Sequence, residues 1–261
     1  MENPFAGMQI YVTPHGTPPL FPGLVFYPWF MGLIYRYRRD ALRGEVSGEY
    51  FPARSLEVIR RIERSGGRFR ITGLHHLAGA PGPAVFVSNH MSTLETVTLP
   101  GIIHLFHPVT FVVKESLVSG PVFGPVMRSR QPVVVSRRYP RRDLITVLRE
   151  GKKRLESGIS VILFPQGTRS RSFHPGQFNT LGVKLARHAG ARLIPLALKT
   201  DFWSNGLLVR PMGRLRPVRT IHMAFGSALD PGMAPDELHD RTIRHIRDHL
   251  RDWGMSPSSL D

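Results

Sequence analysis

Asn89-His90-Met91-Ser92-Thr93-Leu94-Glu95 follows the apolar run AVFVS and sets an imidazole five residues ahead of a carboxylate. Histidine is the side chain whose pKa suits proton abstraction near neutral pH. A carboxylate on the far ring nitrogen fixes the tautomer and stabilises the imidazolium as it forms. Within one continuous helix, a separation of five residues holds two side chains apart around the axis. The pair meets only if His90 lies in the turn before a helix and Glu95 in its first turn. Ser92 and Glu95 also satisfy S-x-x-E, a capping box that on its own merely starts a helix. The two readings are compatible, because the cap puts the helix start beside His90.

A second cluster, Phe164-Pro165-Gln166-Gly167-Thr168-Arg169-Ser170-Arg171, follows the run SVILF. A strand that ends in a glycine turn with a hydroxyl and two arginines presents backbone N–H groups and guanidinium forks to a phosphate. The plain alternative is a surface loop with solvated arginines. Val133-Val134-Val135-Ser136-Arg137 places another arginine at a strand end and means little alone. His75-His76 and the pair His104 and His107 lack an accompanying carboxylate cluster, so no metal site is expected.

Positioning these groups falls to an alternation of short apolar runs and helical patterns. Strands are predicted at 69–72, 84–88, 109–113, 132–136, 160–164, 192–198 and 220–225, and helices at 54–65, 92–105, 116–128, 141–157, 178–189 and 235–253. The last is the clearest, with Leu238, Ile243, Ile246, Leu250 and Trp253 on one stripe and Gly254 after it. Such alternation implies an α/β sheet covered on both faces, with ligand sites in the loops at strand ends. Residues 1–19 read as irregular.

Composition narrows the chemistry. The 261 residues include no cysteine, which excludes disulfides, thiolate metal sites and a cysteine acyl-enzyme. The net charge is +16, and thirty of the thirty-five basic residues are arginine. Nucleic acid, an anionic membrane and a phosphorylated substrate all fit that balance. From Leu20 to Tyr35, sixteen uncharged residues precede Arg36, Arg38 and Arg39. This run is short of the roughly 20 residues of a spanning helix and contains Pro22 and Pro28. Shallow monotopic insertion is expected, with an N-terminal helix packed on the core as the alternative.

The blocks together resemble a known family. Asn89–Glu95 looks like the N-H-x-S-x-x-[DE] signature of the lysophosphatidic acid acyltransferase family of glycerolipid acyltransferases, and Phe164–Ser170 is similar to that family's F-P-E-G-T-R-S block. Val133–Arg137 and Ile194-Pro195-Leu196 resemble two further blocks, in the family's order and at its separations over residues 68–226.

The resemblance implies a central mixed, largely parallel sheet covered by helices, an N-terminal membrane-associating element over 1–39 and an acyltransferase domain over 40–261. It makes His90 the general base on the acceptor hydroxyl and Glu95 its orienting carboxylate. It places Asn89, Ser92, Arg137, Gln166, Gly167, Thr168 and Arg169 on the acceptor side and Pro195 on the acyl-donor side. It implies acyl-CoA or acyl carrier protein as donor, a 1-acyl-glycerol-3-phosphate-like lysolipid as acceptor, no cofactor or metal, and location at the cytoplasmic face of an anionic membrane. Glycerol phosphate, another lysophospholipid or an aminolipid remain as rival acceptors, because Gln166 stands where the family usually has Glu. A non-catalytic basic protein is the rival of another class, but no nucleic-acid-binding motif is present.

Overall fold

The run Ala84–Ser88 is buried at every position, as expected of a strand covered on both faces. Its odd and even residues enter different cores. In the computed structural model, which describes residues 4–14, 16–46, 48–80, 82–206 and 212–256, Ala84 and Phe86 join one apolar cluster while Val85 and Val87 join another. This strand, β3, sits inside an eight-stranded sheet of order β1-β2-β8-β7-β3-β6-β4-β5. The strands are β1 (Ile10–Val12), β2 (Arg68–Thr72), β4 (Val109–Lys114), β5 (Val133–Val135), β6 (Ser160–Leu163), β7 (Arg192–Lys199) and β8 (Thr220–Phe225). Only the β1–β2 and β7–β8 pairs are antiparallel, so β3, β4, β5 and β6 deliver their C-terminal ends to one edge.

Seven of the strands occupy the predicted runs to within a residue or two. The short β1 lies inside the segment read as irregular and pairs with β2. The helix predicted over 116–128 is two short ones, α5 (Glu115–Ser119) and α6 (Phe123–Arg128), divided at Gly120-Pro121. Proline removes a helical N–H, and the residue before it is steered away from the α region.

One face of the sheet carries α1 (Pro22–Leu42), α2 (Tyr50–Arg64) and α4 (Leu94–Ile103). On the other lie α7 (Pro140–Glu156), α8 (Leu181–Ala189) and α9 (Pro235–Asp252), while α3 (Leu74–Ala78) follows β2. Pro100 interrupts α4, and Ser55 of α2 repairs the break. Its Oγ donates to Val97 O at 2.6 Å and accepts from Gly101 N at 2.7 Å.

The N-terminal apolar run forms one helix, α1, that does two things. Phe26 and Phe30 are buried against Trp203, with ring centroids 5.0 and 5.3 Å away. Leu33, Ile34 and Tyr37 continue that inner face. The outer side leaves Leu24 (74% exposed), Met31 and Tyr35 uncovered, together with Leu20 (86%) and Phe21 just before the helix. Among the described residues no helix is long and apolar enough to cross a membrane.

Candidate active site

The turn between β3 and α4 folds around one carboxylate. Glu95 is fully buried, and its Oε1 receives the backbone N–H groups of Met91 at 2.6 Å and Ser92 at 2.8 Å. The Ser92 Oγ accepts from Leu94 N at 3.1 Å, which completes a reciprocal cap at the helix start. Through the same oxygen, Glu95 Oε1 meets His90 Nδ1 at 3.0 Å. The cap and the pair therefore coexist. Thr200, just after β7, donates to Glu95 Oε2 at 2.7 Å, and Ser92 Oγ lies 2.9 Å from the same oxygen. Burial works against the charge on Glu95. The hydrogen bonds from His90, Ser92 and Thr200 outweigh it and hold the carboxyl below the ordinary carboxylate range.

His90 is braced on its other sides. Its ring stacks on Phe164, with centroids 4.2 Å apart and planes 14° from parallel. Its backbone carbonyl accepts from Ser170 N at 2.8 Å. Since Nδ1 is committed to the carboxylate, Nε2 is left as the basic nitrogen, and the ring lines a mainly apolar cavity.

Two residues placed on the acceptor side by resemblance have other work. The amide of Asn89 pairs both ways with the Leu198 backbone, at 2.8 and 2.9 Å, and acts as an extra rung between β3 and β7. Ser92 spends its hydroxyl within the Glu95 and Thr200 network and is buried. Both stand behind the pair, holding it in place, rather than facing a ligand.

Gln166 also works within the protein. Its Oε1 accepts from His90 N at 3.3 Å, and its Nε2 donates to Ser172 O at 3.3 Å, so the amide ties the loop after β6 to the loop after β3. Gly167 takes φ +74°, a left-handed conformation that glycine adopts without strain. Thr168 at the loop tip is exposed. Arg169 lines the same cavity as His90. Arg137 does so as well, and it donates through Nη1 to Gly167 O. Its φ of +58° is unfavourable for a residue with a Cβ. Asp143, in the first turn of α7, offsets that cost by accepting the N–H groups of Ser136 at 2.8 Å and Arg137 at 2.7 Å. Pro195 lies elsewhere, mid-strand in β7 opposite Val87, with its carbonyl accepting from Gly226 N.

Several participants escaped the sequence reading. Lys114 ends β4 and lines the cavity beside His90, Arg137 and Arg169, so three cations share it with the imidazole. Thr200 and Asp143 carry no local signal, because their partners are 105 and six or seven residues away. The cavity runs from His90 past Phe164, Phe111 and Val97 to Phe30, Leu33 and Val126. Its lining combines a proton acceptor, a cationic rim and an apolar interior. Among the described residues, no three His, Cys, Asp or Glu side chains group as metal ligands would.

Comparison with known proteins agrees with this arrangement. A model of the Acyltransferase family matches residues 68–199, which include His90, Glu95, Arg137 and Arg169. The chain is 33% identical over 190 residues to a 1-acyl-sn-glycerol-3-phosphate acyltransferase of Pseudomonas aeruginosa, covering 72% of this chain and 68% of that one. It is 33% identical over 131 residues to a chloroplastic 1-acyl-sn-glycerol-3-phosphate acyltransferase of Arabidopsis thaliana, which is 50% of this chain and 36% of that relative's length. The fold is similar to the crystal structure of the 1-acyl-sn-glycerophosphate acyltransferase PlsC from Thermotoga maritima. The TM-score is 0.68 at 18% identity, over 90% of this chain and 95% of that one. The chain is a glycerolipid O-acyltransferase, and it belongs to the acyltransferase family that includes the 1-acyl-sn-glycerol-3-phosphate acyltransferases.

Proposed function

We propose that the chain moves a fatty acyl group from acyl-CoA or an acyl carrier protein to the free hydroxyl of a 1-acyl-glycerol-3-phosphate-like lysolipid, giving phosphatidic acid for phospholipid synthesis. One observation carries this reading: the His90–Glu95 pair opens onto an apolar cavity whose lining also holds Lys114, Arg137 and Arg169. An acyl chain needs the apolar walls, and a phosphate ester needs the cations.

The steps follow from the geometry. With Nδ1–H donated to Glu95, His90 Nε2 takes the proton of the acceptor hydroxyl as its oxygen attacks the thioester carbonyl. The new C–O bond forms, the tetrahedral intermediate collapses, and the C–S bond breaks. The imidazolium, stabilised by Glu95, returns the proton to the departing thiolate. No enzyme nucleophile is required.

The exposed apolar residues of and before α1 supply the membrane reading. Leu20, Phe21, Leu24, Met31 and Tyr35 would enter the outer part of a leaflet, with Arg36 and Arg39 at the phosphates of its cytoplasmic face. A lysolipid embedded there reaches the site without leaving the bilayer.

Purified protein incubated with labelled acyl-CoA or acyl carrier protein thioester and a panel of lysolipids tests the acceptor. Phosphatidic acid as the dominant product, identified by mass, is the expected result. Preferential acylation of an acceptor without a phosphomonoester would overturn it. Arg169→Ala should then raise KM for the lysolipid about tenfold or more and leave the donor KM near its starting value.

A further inference from the structure

The end of the cavity remote from His90 holds a charge that the reaction does not use. Arg130 precedes β5, and its backbone carbonyl is fixed by Thr110 Oγ1 at 2.8 Å. The guanidinium carbon sits 3.3 Å from the Phe51 ring centroid and 4.9 Å from that of Phe111. Phe111 in turn lies 6.1 Å from Phe164, the ring on which His90 stacks. A continuous aromatic wall therefore leads from the imidazole to the guanidinium, and both ends line one cavity.

Arg130 is partly buried as a residue, yet its Nε and Nη2 are shut off from solvent and make no hydrogen bond among the described residues. Nη1 has only the sulfur of Met127, at 3.9 Å. The Tyr37 hydroxyl, buried beside Ser129 on the same cavity wall, makes no hydrogen bond either. Burial pushes the Arg130 guanidinium down to about 9, which still leaves it charged at neutral pH. Aromatic faces offset part of the cost of a buried cation, but they accept none of its N–H groups.

Guanidinium is a donor with no acceptor, and an unbranched alkyl tail offers it nothing. We propose that Arg130, with the Tyr37 hydroxyl, forms a polar subsite deep in the acyl cavity that selects acyl donors carrying an oxygen function on the chain, a hydroxyl or a carboxylate. The proposal rests on the reading that this cavity takes the acyl chain. A site built to hydrogen-bond an oxygen discriminates against the analogue that lacks it, because its own buried donors are then left unpaired.

The test uses the full-length protein and acyl thioesters of one chain length, presented on CoA and on acyl carrier protein. One set is unsubstituted, one carries a hydroxyl at successive positions, and one ends in a carboxylate. The expected result is a kcat/KM at least about tenfold higher for the best oxygenated donor than for the plain chain. Arg130→Met should abolish that preference, with improved turnover of the plain chain. The hydroxyl and carboxylate series show which oxygen the subsite takes. Equal use of plain and oxygenated chains by the unmodified protein would overturn the subsite, whether or not the Met variant folds. Met127→Trp, which narrows the cavity beside Arg130, separates the two readings. If it shortens the longest plain chain accepted, the cavity holds the acyl chain even where the subsite fails. If it leaves the chain-length profile unchanged, the cavity reading fails and the subsite with it.

Discussion

Glu95 Oε1 lies 3.0 Å from His90 Nδ1 and at the same time accepts two backbone N–H groups of its own turn. The carboxylate is thus anchored before it meets the imidazole, and the imidazole takes its direction from it. Removing the base should lower kcat by on the order of 10²–10⁴-fold in His90→Ala. Glu95→Gln should also be impaired, since an amide leaves the imidazolium without its counter-charge. Steady-state assays in detergent, with thermal melts to confirm folding, check both. Near-normal turnover in His90→Ala would rule out the mechanism.

Thr200 reaches Glu95 Oε2 from a different strand, at 2.7 Å. In Thr200→Val the carboxylate loses one of its two bonds at that oxygen, and its orientation loosens. A fall in kcat of about tenfold with little change in either KM is expected, by the loss of about 1 kcal/mol of a charge-assisted bond. Thr200→Ser should restore turnover. A variant that lost stability but kept kcat would limit Thr200 to a folding role.

Gln166→Glu keeps an acceptor for His90 N but sets a carboxylate oxygen against the Ser172 carbonyl, where the amide now donates. A loss of about 1–3 kcal/mol is expected, the cost of an unmatched buried acceptor. Chemical denaturation measures it directly. A stable variant with a lower KM for lysophosphatidic acid would instead mean that this position acts on the acceptor.

Deleting residues 1–39 cannot isolate membrane binding, because Phe26, Phe30 and Leu33 are part of the core. The outward residues can be changed without touching it. Leu20→Ser, Phe21→Ser and Leu24→Ser together should weaken co-sedimentation with anionic vesicles about tenfold or more and leave the melting temperature within a few degrees, in line with the apolar area removed from insertion. High salt should weaken the unmodified protein's binding only in part. Equal sedimentation of the triple variant would assign this surface another purpose.

His245 is held neutral, its pKa lowered to about 4 by burial first and then by neighbouring His249 and His76. A hydrogen bond with Ala224 O and the Asp248 charge act in the opposite direction. The unfolded chain, with an ordinary histidine pKa of 6.5, takes up that proton first as pH falls. Stability should therefore decline between pH 6.5 and about 4, with the full contribution present above that window. In His245→Gln the decline should be shallower. Melting temperatures across that range decide it, and an unchanged slope would place the acid sensitivity elsewhere.

What the sequence determined by itself is mostly local. The β3 run, the cap at Ser92 and the contact of His90 with Glu95 are written within a dozen residues, because a turn followed by a helix start brings positions five apart together. The alternation of strands and helices was equally readable, since each element buries its own apolar face. The positions of Arg137 and Arg169 were visible as strand-end arginines, but not what they touch.

Tertiary structure decided the rest, through which strands lie side by side. Because β3 runs between β6 and β7, Gln166 and Phe164 reach His90 from one neighbour and Thr200 reaches Glu95 from the other. Asn89 and Ser92 become supports because their polar atoms are used up by Leu198, Glu95 and Thr200. No period in the chain sets α1 against Trp203 or carries Arg130 to the end of the cavity. Those contacts depend on the order of strands in the sheet and on side chains far apart in sequence finding the same space.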